Sequence, residues 1–137
     1  MSRAHFLQPL LRRAVERPVL LNTRSKLPVA NILETAFESA DRKKGLLGRD
    51  GLGPGQAMII APTNLVHTFA MRFPIDILFV ARDGRVLKVR SSVPPRRIAG
   101  SLRAFAVIEL AAGQAAVSDT RAGDMIEVVG SADRPIV

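Results

Sequence analysis

Four titratable or charged side chains stand out because they lie among apolar residues. Arg49, His67 and Asp76 fall within one continuous stretch of the chain, and Glu109 lies further along in the run FAVIEL. Burying such groups without partners is costly, so each of them needs a hydrogen bond or a counter-charge. An imidazole beside a carboxylate can also perform general acid and base catalysis.

Asp76 allows a structural and a catalytic interpretation. It lies in the apolar run IDILFV, which predicts a strand covered on both faces, and Arg49, Arg72 and His67 are its available partners. We predict that Asp76 is a structural carboxylate paired mainly with Arg49, since such pairs often fix a loop onto a sheet. Catalysis by His67 with Asp76 or Glu109 is the alternative.

Other kinds of site find little support in the sequence. His67 and Met71 suggest a soft-metal site, but residues four apart in a strand lie about 13 Å from each other. We therefore predict no metal, and no motif indicates a cofactor.

The loop GRDGLGPGQ leads from a helix into a strand, the reverse of a phosphate-binding loop. A strand would also turn the hydroxyl of Thr68 away from His67.

Length and composition indicate one globular domain. The 137 residues are enough for a real core, and 47% of them are hydrophobic. Cysteine is absent, which excludes disulfides, thiol nucleophiles and thiolate metal sites. The N-terminal residues do not resemble a signal peptide, and the longest later apolar stretch, 104–117, is too short to span a bilayer. The sequence therefore predicts a cytoplasmic protein that does not enter a membrane.

The net charge of +8 is the one compositional extreme. Basic residues concentrate in 1–24 and in 82–103, where Arg96 and Arg97 are adjacent. Such patches attract polyanions. Single-strand binders also use stacking aromatic side chains, however, and this chain has no Trp, no Tyr and six Phe. Nonspecific nucleic-acid binding is thus an alternative function, and a solvated basic surface is the simpler interpretation.

Short apolar runs separated by turn residues favour strands over long helices. The predicted strands are 19–22, 29–37, 57–60, 66–71, 75–81, 85–90, 105–110 and 125–129. We predict an N-terminal helix that stops at Pro18, a helix over 40–47 between Ser39 and Gly48, and a helical turn over 111–117. The expected fold is a compact, mainly β domain, barrel-like or sandwich-like, with one or two short helices.

Two turns have specific sequence signals. Asp83–Gly84 separates two predicted strands and predicts a type I′ hairpin. Pro54–Gly55 is suited to the centre of a type II turn.

The order of motifs in the chain resembles that of the DUF192 family, a domain of unknown function. The motifs are GLLGR, a Gly/Pro loop with AMII, HTFAMRFPIDILFVARDGRV, AVIELAAGQAA and AGDMIEV, and they cover about residues 19–130. The HTF and FPID strings are similar to those of cytoplasmic members, whereas secreted members carry a signal peptide and a Trp-Met-Lys-Asn version. The resemblance implies a compact, mostly β domain and no established activity.

The resemblance marks motif positions without giving them catalytic roles. These positions are Arg49, His67, Phe69, Met71, Pro74, Asp76, Gly84, Glu109, Gly123 and Asp124. An arm at 1–18 and a tail at 131–137 lie outside the pattern. Ser118 and the two residues after it replace the Gly-Leu often seen there, which leaves the end of the last short helix open.

Our leading hypothesis is a non-catalytic accessory domain that binds a small ligand or a protein partner. Its site would be a polar cluster of Arg49, His67, Asp76 and Glu109. The alternatives are a small hydrolase that uses His67 with Asp76 or Glu109, and a nonspecific nucleic-acid binder. The sequence names neither the ligand nor the partner.

Overall fold

The protein is built mainly from short strands, as a computed structural model that describes residues 4–69 and 71–131 shows. Within these residues the helices are α1 (Gln8–Leu11), α2 (Ser39–Lys44) and α3 (Gln114–Val117). The strands are β1 (Pro18–Asn22), β2 (Pro28–Ala30), β3 (Ile32–Ala36), β4 (Gln56–Ile60), β5 (Leu65–His67), β6 (Ile75–Val80), β7 (Val86–Val93), β8 (Ile98–Gly100), β9 (Ala106–Ala111) and β10 (Ile126–Gly130). The prediction of a mainly β domain is confirmed.

A five-stranded sheet in the order β3-β4-β9-β6-β7 forms the centre of the domain. β3 and β4 run parallel, and the other neighbours run antiparallel. All six residues of β6 are buried, as predicted for a strand covered on both faces. Leu78 and Ile108 belong to the core on one face, and Ile77 and Phe79 belong to the core on the other. Two cores arise because strand side chains alternate between faces.

Two smaller sheets complete the described part of the chain. β10, β1 and β2 form an antiparallel three-stranded sheet, and β5 pairs with β8 in an antiparallel ribbon. The strand order of each sheet has two ends, so the described strands do not close into a barrel. The barrel-like or sandwich-like β structure expected from the sequence is thus a set of open sheets in these residues.

The strand predicted over 29–37 is divided into β2 and β3. The backbone N–H groups of Asn31 and Ile32 donate to the carbonyl of Gly55 at 2.8 and 3.0 Å, where the chain passes from one sheet to another. β2 then pairs with β1, whereas β3 pairs with β4. Gly55 has a φ of +77°, as the predicted turn at Pro54–Gly55 requires.

The helix α2 ends earlier than the sequence predicted. Gly45, which the prediction placed inside the helix, ends it with φ +45° and ψ −123°. Ser39 is the first helical residue rather than the N-cap, and the helix does not continue to Gly48. A Cβ at position 45 would lie 3.7 Å from atoms of both Ile60 and Glu109, so the end of α2 lies over the central sheet.

The hairpin between β6 and β7 is confirmed, but its turn is not type I′. That type needs two central residues with positive φ, and Gly84 has a φ of +97° whereas Asp83 does not adopt a positive φ. The N–H of Gly84 donates to the carbonyl of Ala81 at 3.0 Å. Glycine is required at position 84, because a Cβ would lie 2.4 Å from the carbonyl oxygen of Ile126.

The N-terminal segment packs onto the domain. Leu7 is fully buried in the core, and the N–H of Phe6 donates to the carbonyl of Arg82 at 2.8 Å. The predicted helix up to Pro18 is reduced to α1, and Pro18 begins β1. Positions 1–3 of the predicted arm and 132–137 of the predicted tail lie outside the described residues. Among the residues that are described, no helix has the length and apolar character needed to cross a bilayer.

Candidate functional site

The register of the central sheet separates two carboxylates of the predicted polar cluster. Asp76 is directly opposite Leu110, and Glu109 is directly opposite Ile77. Opposite residues of antiparallel strands share a face, and successive residues alternate between faces. Asp76 and Glu109 therefore face opposite sides of the sheet and cannot belong to one site.

Asp76 is fully buried and accepts hydrogen bonds from three backbone N–H groups. Its Oδ1 accepts from Ser92 at 2.8 Å, and its Oδ2 accepts from Gly113 at 3.0 Å and from Ala115 at 2.9 Å. Gly113 and Ala115 lie at the start of α3, so the carboxylate joins that helix to β6 and β7. A structural role fits this geometry, but the predicted partner Arg49 is wrong.

Arg49 pairs with Glu34 of β3. Its Nη1 donates to Oε1 of Glu34 at 2.7 Å, and its Nη2 donates to Oε2. The two side chains are 35% and 38% exposed, so water screens the pair in part. The hydrogen bond from Arg49 lowers the pKa of Glu34 below its usual value. The pair joins the loop after α2 to β3 and does not involve Glu109.

A cavity of about 350 Å³ brings His67 and Glu109 together. Residues of α2, the turn after it and β5 line it, and Glu109 reaches it from the central sheet. Its apolar lining includes Leu46, Ile60 and Met71. Its polar lining consists of Ser39, Arg42, Lys43, Lys44, Thr63, His67 and Glu109. We call this space the Glu109 cavity.

Glu109 is the buried polar group of this cavity. Its side chain is 3% exposed, and within the described residues no donor forms a hydrogen bond with its carboxyl group. Burial raises the pKa of Glu109 to about 7, because loss of water disfavours the charged form. A Cβ at Gly45 would lie 3.7 Å from Oε1 of Glu109, so a glycine leaves the space beside the carboxyl group open.

His67 is exposed at the end of β5, which is shorter than the predicted strand over 66–71. The next residue, Thr68, is buried, and its hydroxyl donates to the carbonyl of Pro94 at 2.8 Å. The same oxygen accepts from the N–H of Arg97 at 2.8 Å. These bonds hold the chain after β5 in place. They also occupy the hydroxyl of Thr68, so it is not a nucleophile poised beside His67.

Comparison with protein families agrees with the motif order in the sequence. The model of the DUF192 family, described as “Uncharacterized ACR”, matches residues 20–128. The chain belongs to the DUF192 family. A comparison of this DUF192 protein with curated proteins finds no match.

Two solved structures are similar to this DUF192 protein. A protein of unknown function from Novosphingobium aromaticivorans DSM 12444 is 27% identical, with a TM-score of 0.69 over 80% of this chain and 82% of that one. A structure from Sinorhizobium meliloti 1021, described as a “putative transcription regulator”, is 22% identical, with a TM-score of 0.70 over 93% and 98% of the two chains. At 22% identity the second likeness shows the fold alone.

Asp124, another motif position of this DUF192 domain, lies in a second polar cluster. It is 6% exposed and accepts from Nε of Arg24 at 2.7 Å and from Nδ2 of Asn22 at 2.9 Å. The hydrogen bond from Arg24 is the main reason why the pKa of Asp124 falls to about 2. This cluster was not predicted from the sequence, because Arg24 and Asn22 lie 100 and 102 residues from Asp124 along the chain.

The other motif positions have simpler surroundings. Gly123 has a φ of +96°, which favours glycine. Phe69 and Pro74 are exposed, and the ring of Phe69 lies 5.6 Å from that of His67. Ser118, where the chain departs from the family pattern, is buried and its hydroxyl donates to the carbonyl of Gln114 at 2.9 Å, which closes α3.

The basic side of the Glu109 cavity was not predicted from the sequence. Arg42, Lys43 and Lys44 form the last turn of α2, and all three line the cavity. The signal was the string RKKG, in which three cations immediately precede a glycine that can end a helix. Only the position of α2 over the sheet shows that these cations and Glu109 share one space.

Proposed function

We propose that this DUF192 protein is a non-catalytic small-ligand-binding domain whose site is the Glu109 cavity. The observation that carries the proposal is the buried Glu109 carboxyl group, which no donor of the described residues satisfies. Buried polar groups in folded proteins nearly always have a hydrogen-bond partner, either in the protein or in ordered water. A ligand that enters the cavity would supply the missing partner.

The size and lining of the cavity support this function. Its volume of about 350 Å³ lies within the range of roughly 300 to 1,000 Å³ that is typical of small-molecule sites. Apolar side chains such as Ile60 and Met71 form part of the wall, and a few polar groups are available to orient a ligand. Arg49 and Asp76 take no part, because their hydrogen bonds are made elsewhere in the fold.

A thermal-unfolding screen of small metabolites tests the proposal. A ligand at 100 times its Kd stabilises the folded state by about 2.7 kcal/mol, which raises the melting temperature. The screen is run on the parent protein, on Glu109→Gln, and on the control Glu127→Gln, which changes an exposed carboxylate of β10. We expect ligands that raise the melting temperature of the parent and the control but not of Glu109→Gln. Ligands that stabilise all three equally, or a complete lack of ligands, would contradict the proposal.

A small hydrolase is the second candidate, because His67 and Glu109 line the same cavity. A carboxyl group with a pKa of about 7 can act as a general acid or base near neutral pH. Asp76 cannot take part in such a reaction, because it lies on the face of the sheet opposite to Glu109. The test is turnover of aryl esters and aryl phosphates. Activity that both His67→Gln and Glu109→Gln abolish would favour the hydrolase over the binding domain.

We also propose that the protein acts in the cytoplasm. The lack of cysteine fits a compartment in which disulfides are not used for stability. Cell fractionation with an antibody to the native protein tests this location, and recovery in the periplasmic or secreted fraction would contradict it.

A further inference from the structure

The charged groups that line the Glu109 cavity differ in burial. Glu109 lies at the buried end, where its side chain is 3% exposed. Lys43 and Lys44 line the same cavity and are exposed, so they lie at its mouth. Apolar lining such as Ile60 is also present. A ligand that fills this cavity would therefore meet an acid at one end and cations at the other.

At the buried end of the cavity, a ligand needs a hydrogen-bond donor to pair with Glu109. The other carboxylates of comparable burial, Asp76 and Asp124, each accept from at least three donors. Glu109 accepts from none within the described residues, although it is buried to a similar degree. A carboxylate can only accept, and a charge-assisted bond from an ammonium is stronger than one from a neutral group. An ammonium group is thus the best complement to Glu109.

At the mouth of the cavity, the lysine side chains favour an anionic group of a ligand. Arg42 donates to the carbonyl of Phe37 and is partly buried, so its guanidinium is already engaged. Within the described residues neither Lys43 nor Lys44 forms an ion pair or a hydrogen bond through its ammonium group. Cationic side chains at the mouth of a cavity raise the local concentration of anions. A polyanion without N–H or O–H groups, such as an ionised polyphosphate chain, would be drawn to this mouth but would have no donor to offer Glu109.

Building on the proposed ligand-binding function, we propose that the ligand is a small organic amine that also carries an anionic group. Its ammonium binds to Glu109, and its anionic end lies near Lys43 and Lys44. A simple carboxylic acid would bring no donor to Glu109. A simple amine would leave the cations at the mouth without a partner. Carboxylates and phosphonates are both anionic at neutral pH, and the probes below distinguish them.

Four matched probes test this class of ligand by calorimetric titration at pH 7.5. The probes are 5-aminopentanoate, 3-aminopropylphosphonate, pentylamine and pentanoate. We expect at least one of the two bifunctional probes to bind at least tenfold more tightly than pentylamine and than pentanoate. The tighter of the two identifies the preferred anion. Pentanoate binding as tightly as 5-aminopentanoate would overturn the proposal.

Variants at each end of the cavity locate the two interactions. Glu109→Gln keeps the size of the side chain and should weaken the best bifunctional probe at least tenfold, whereas the control Glu127→Gln should leave its affinity unchanged. The double variant Lys43→Ala with Lys44→Ala should reduce the affinity of that probe to the level of pentylamine. Unchanged affinity in either cavity variant would overturn the corresponding contact. Circular dichroism of each variant confirms that it is folded before titration.

The pH dependence adds a readout that a purely structural Glu109 would not produce. The charged groups that line the cavity with Glu109 are Arg42, Lys43 and Lys44 of α2 and His67 of β5. With a Glu109 pKa of about 7, pentylamine and 5-aminopentanoate should bind about 50- to 100-fold more weakly at pH 5 than at pH 8. His67→Gln should keep this dependence, and Glu109→Gln should lose it.

The outcomes separate failure of the ligand class from failure of the proposed function. If none of the four probes binds at 10 mM while the metabolite screen yields a ligand that depends on Glu109, the class is wrong and the binding function stands. If neither a probe nor a screened ligand depends on Glu109, both are wrong.

Discussion

Asp76 and Glu109 lie on the neighbouring strands β6 and β9, yet their carboxyl groups face opposite sides of the central sheet. Asp76 is satisfied by three backbone N–H groups, whereas Glu109 opens into a cavity. The same burial therefore has two different consequences. One carboxylate stabilises the fold, and the other lowers stability when it is ionised, because burial disfavours its charged form.

Asp76→Asn should destabilise the protein through the backbone groups that the carboxylate accepts. An amide offers one acceptor oxygen, so at least one of the N–H groups of Ser92, Gly113 and Ala115 loses its partner. Each buried donor left unpaired costs about 1–3 kcal/mol. Asp76→Ala removes both oxygens and should cost more than Asp76→Asn. Urea unfolding measures both free energies, and Asp50→Asn, at an 88% exposed side chain, is the control. Equal stability of Asp76→Asn and the control would contradict this role.

Arg49 should be energetically independent of Asp76 and coupled to Glu34. The Arg49–Glu34 pair is about one third exposed, so Arg49→Met should cost at most about 1 kcal/mol. A double-mutant cycle of Arg49→Met with Asp76→Asn should be additive within about 0.5 kcal/mol. The cycle of Arg49→Met with Glu34→Gln should show a favourable coupling energy. Coupling of several kcal/mol between Arg49 and Asp76 would show that the pairing in the structure is wrong.

Glu109 should make the protein less stable as the pH rises from about 4.5 to 7. Its folded pKa of about 7 is above the unfolded value of about 4.3, so in this window the folded state binds more protons than the unfolded state. The free energy of unfolding therefore falls by about 3 kcal/mol across the window and is level above it. Glu109→Gln should remove this slope and be more stable than the parent at pH 8. Urea unfolding at four pH values checks this, with Glu127→Gln as control, and an unchanged slope in Glu109→Gln would refute it.

Asp124 should contribute stability that is lost only in strong acid. Its folded pKa of about 2 is below the unfolded value of about 3.9, so its contribution is complete above the unfolded pKa and disappears as the pH falls to 2. Asp124→Asn replaces a charged hydrogen-bond acceptor with a neutral one. It should lower the free energy of unfolding by about 1.5–3 kcal/mol at pH 7. The difference in the free energy of unfolding between the parent and Asp124→Asn, measured with urea, should become smaller from pH 5 to pH 2. Asp83→Asn, at an exposed turn, should show no such change.

Nucleic-acid binding should be weak, salt-dependent and indifferent to sequence. Arg96 and Arg97 are exposed and offer sites for phosphates, but the chain has no Trp or Tyr to stack on bases. Fluorescence anisotropy with single-stranded DNA should show affinity that falls steeply between about 50 and 200 mM salt. The double variant Arg96→Ala with Arg97→Ala should weaken the affinity for DNA at a given salt concentration. Arg72→Ala should reduce this affinity less. Tight binding that survives high salt would require a specific interface.

The sequence by itself determined the class of the fold, its family and several local features. Continuous apolar residues predicted that β6 is covered on both faces, Gly84 marked a hairpin, and Asp76 was expected to need hydrogen-bond partners. These features depend on local patterns, in which the type of residue and its neighbours along the chain carry the information. Turn type and helix ends were less well predicted, because Gly45 and Gly84 adopt conformations that neighbouring strands and helices impose.

The tertiary structure alone decided which polar groups meet. Asp76 and Glu109 lie on opposite faces because of the register between β6 and β9, which no local pattern contains. Arg49 reaches Glu34 rather than Asp76 because the loop after α2 lies against β3. The cations of α2 line one cavity with Glu109 because the helix ends at Gly45 over the central sheet. A site made by residues far apart in the chain is determined by packing, and packing follows from all of the strands together.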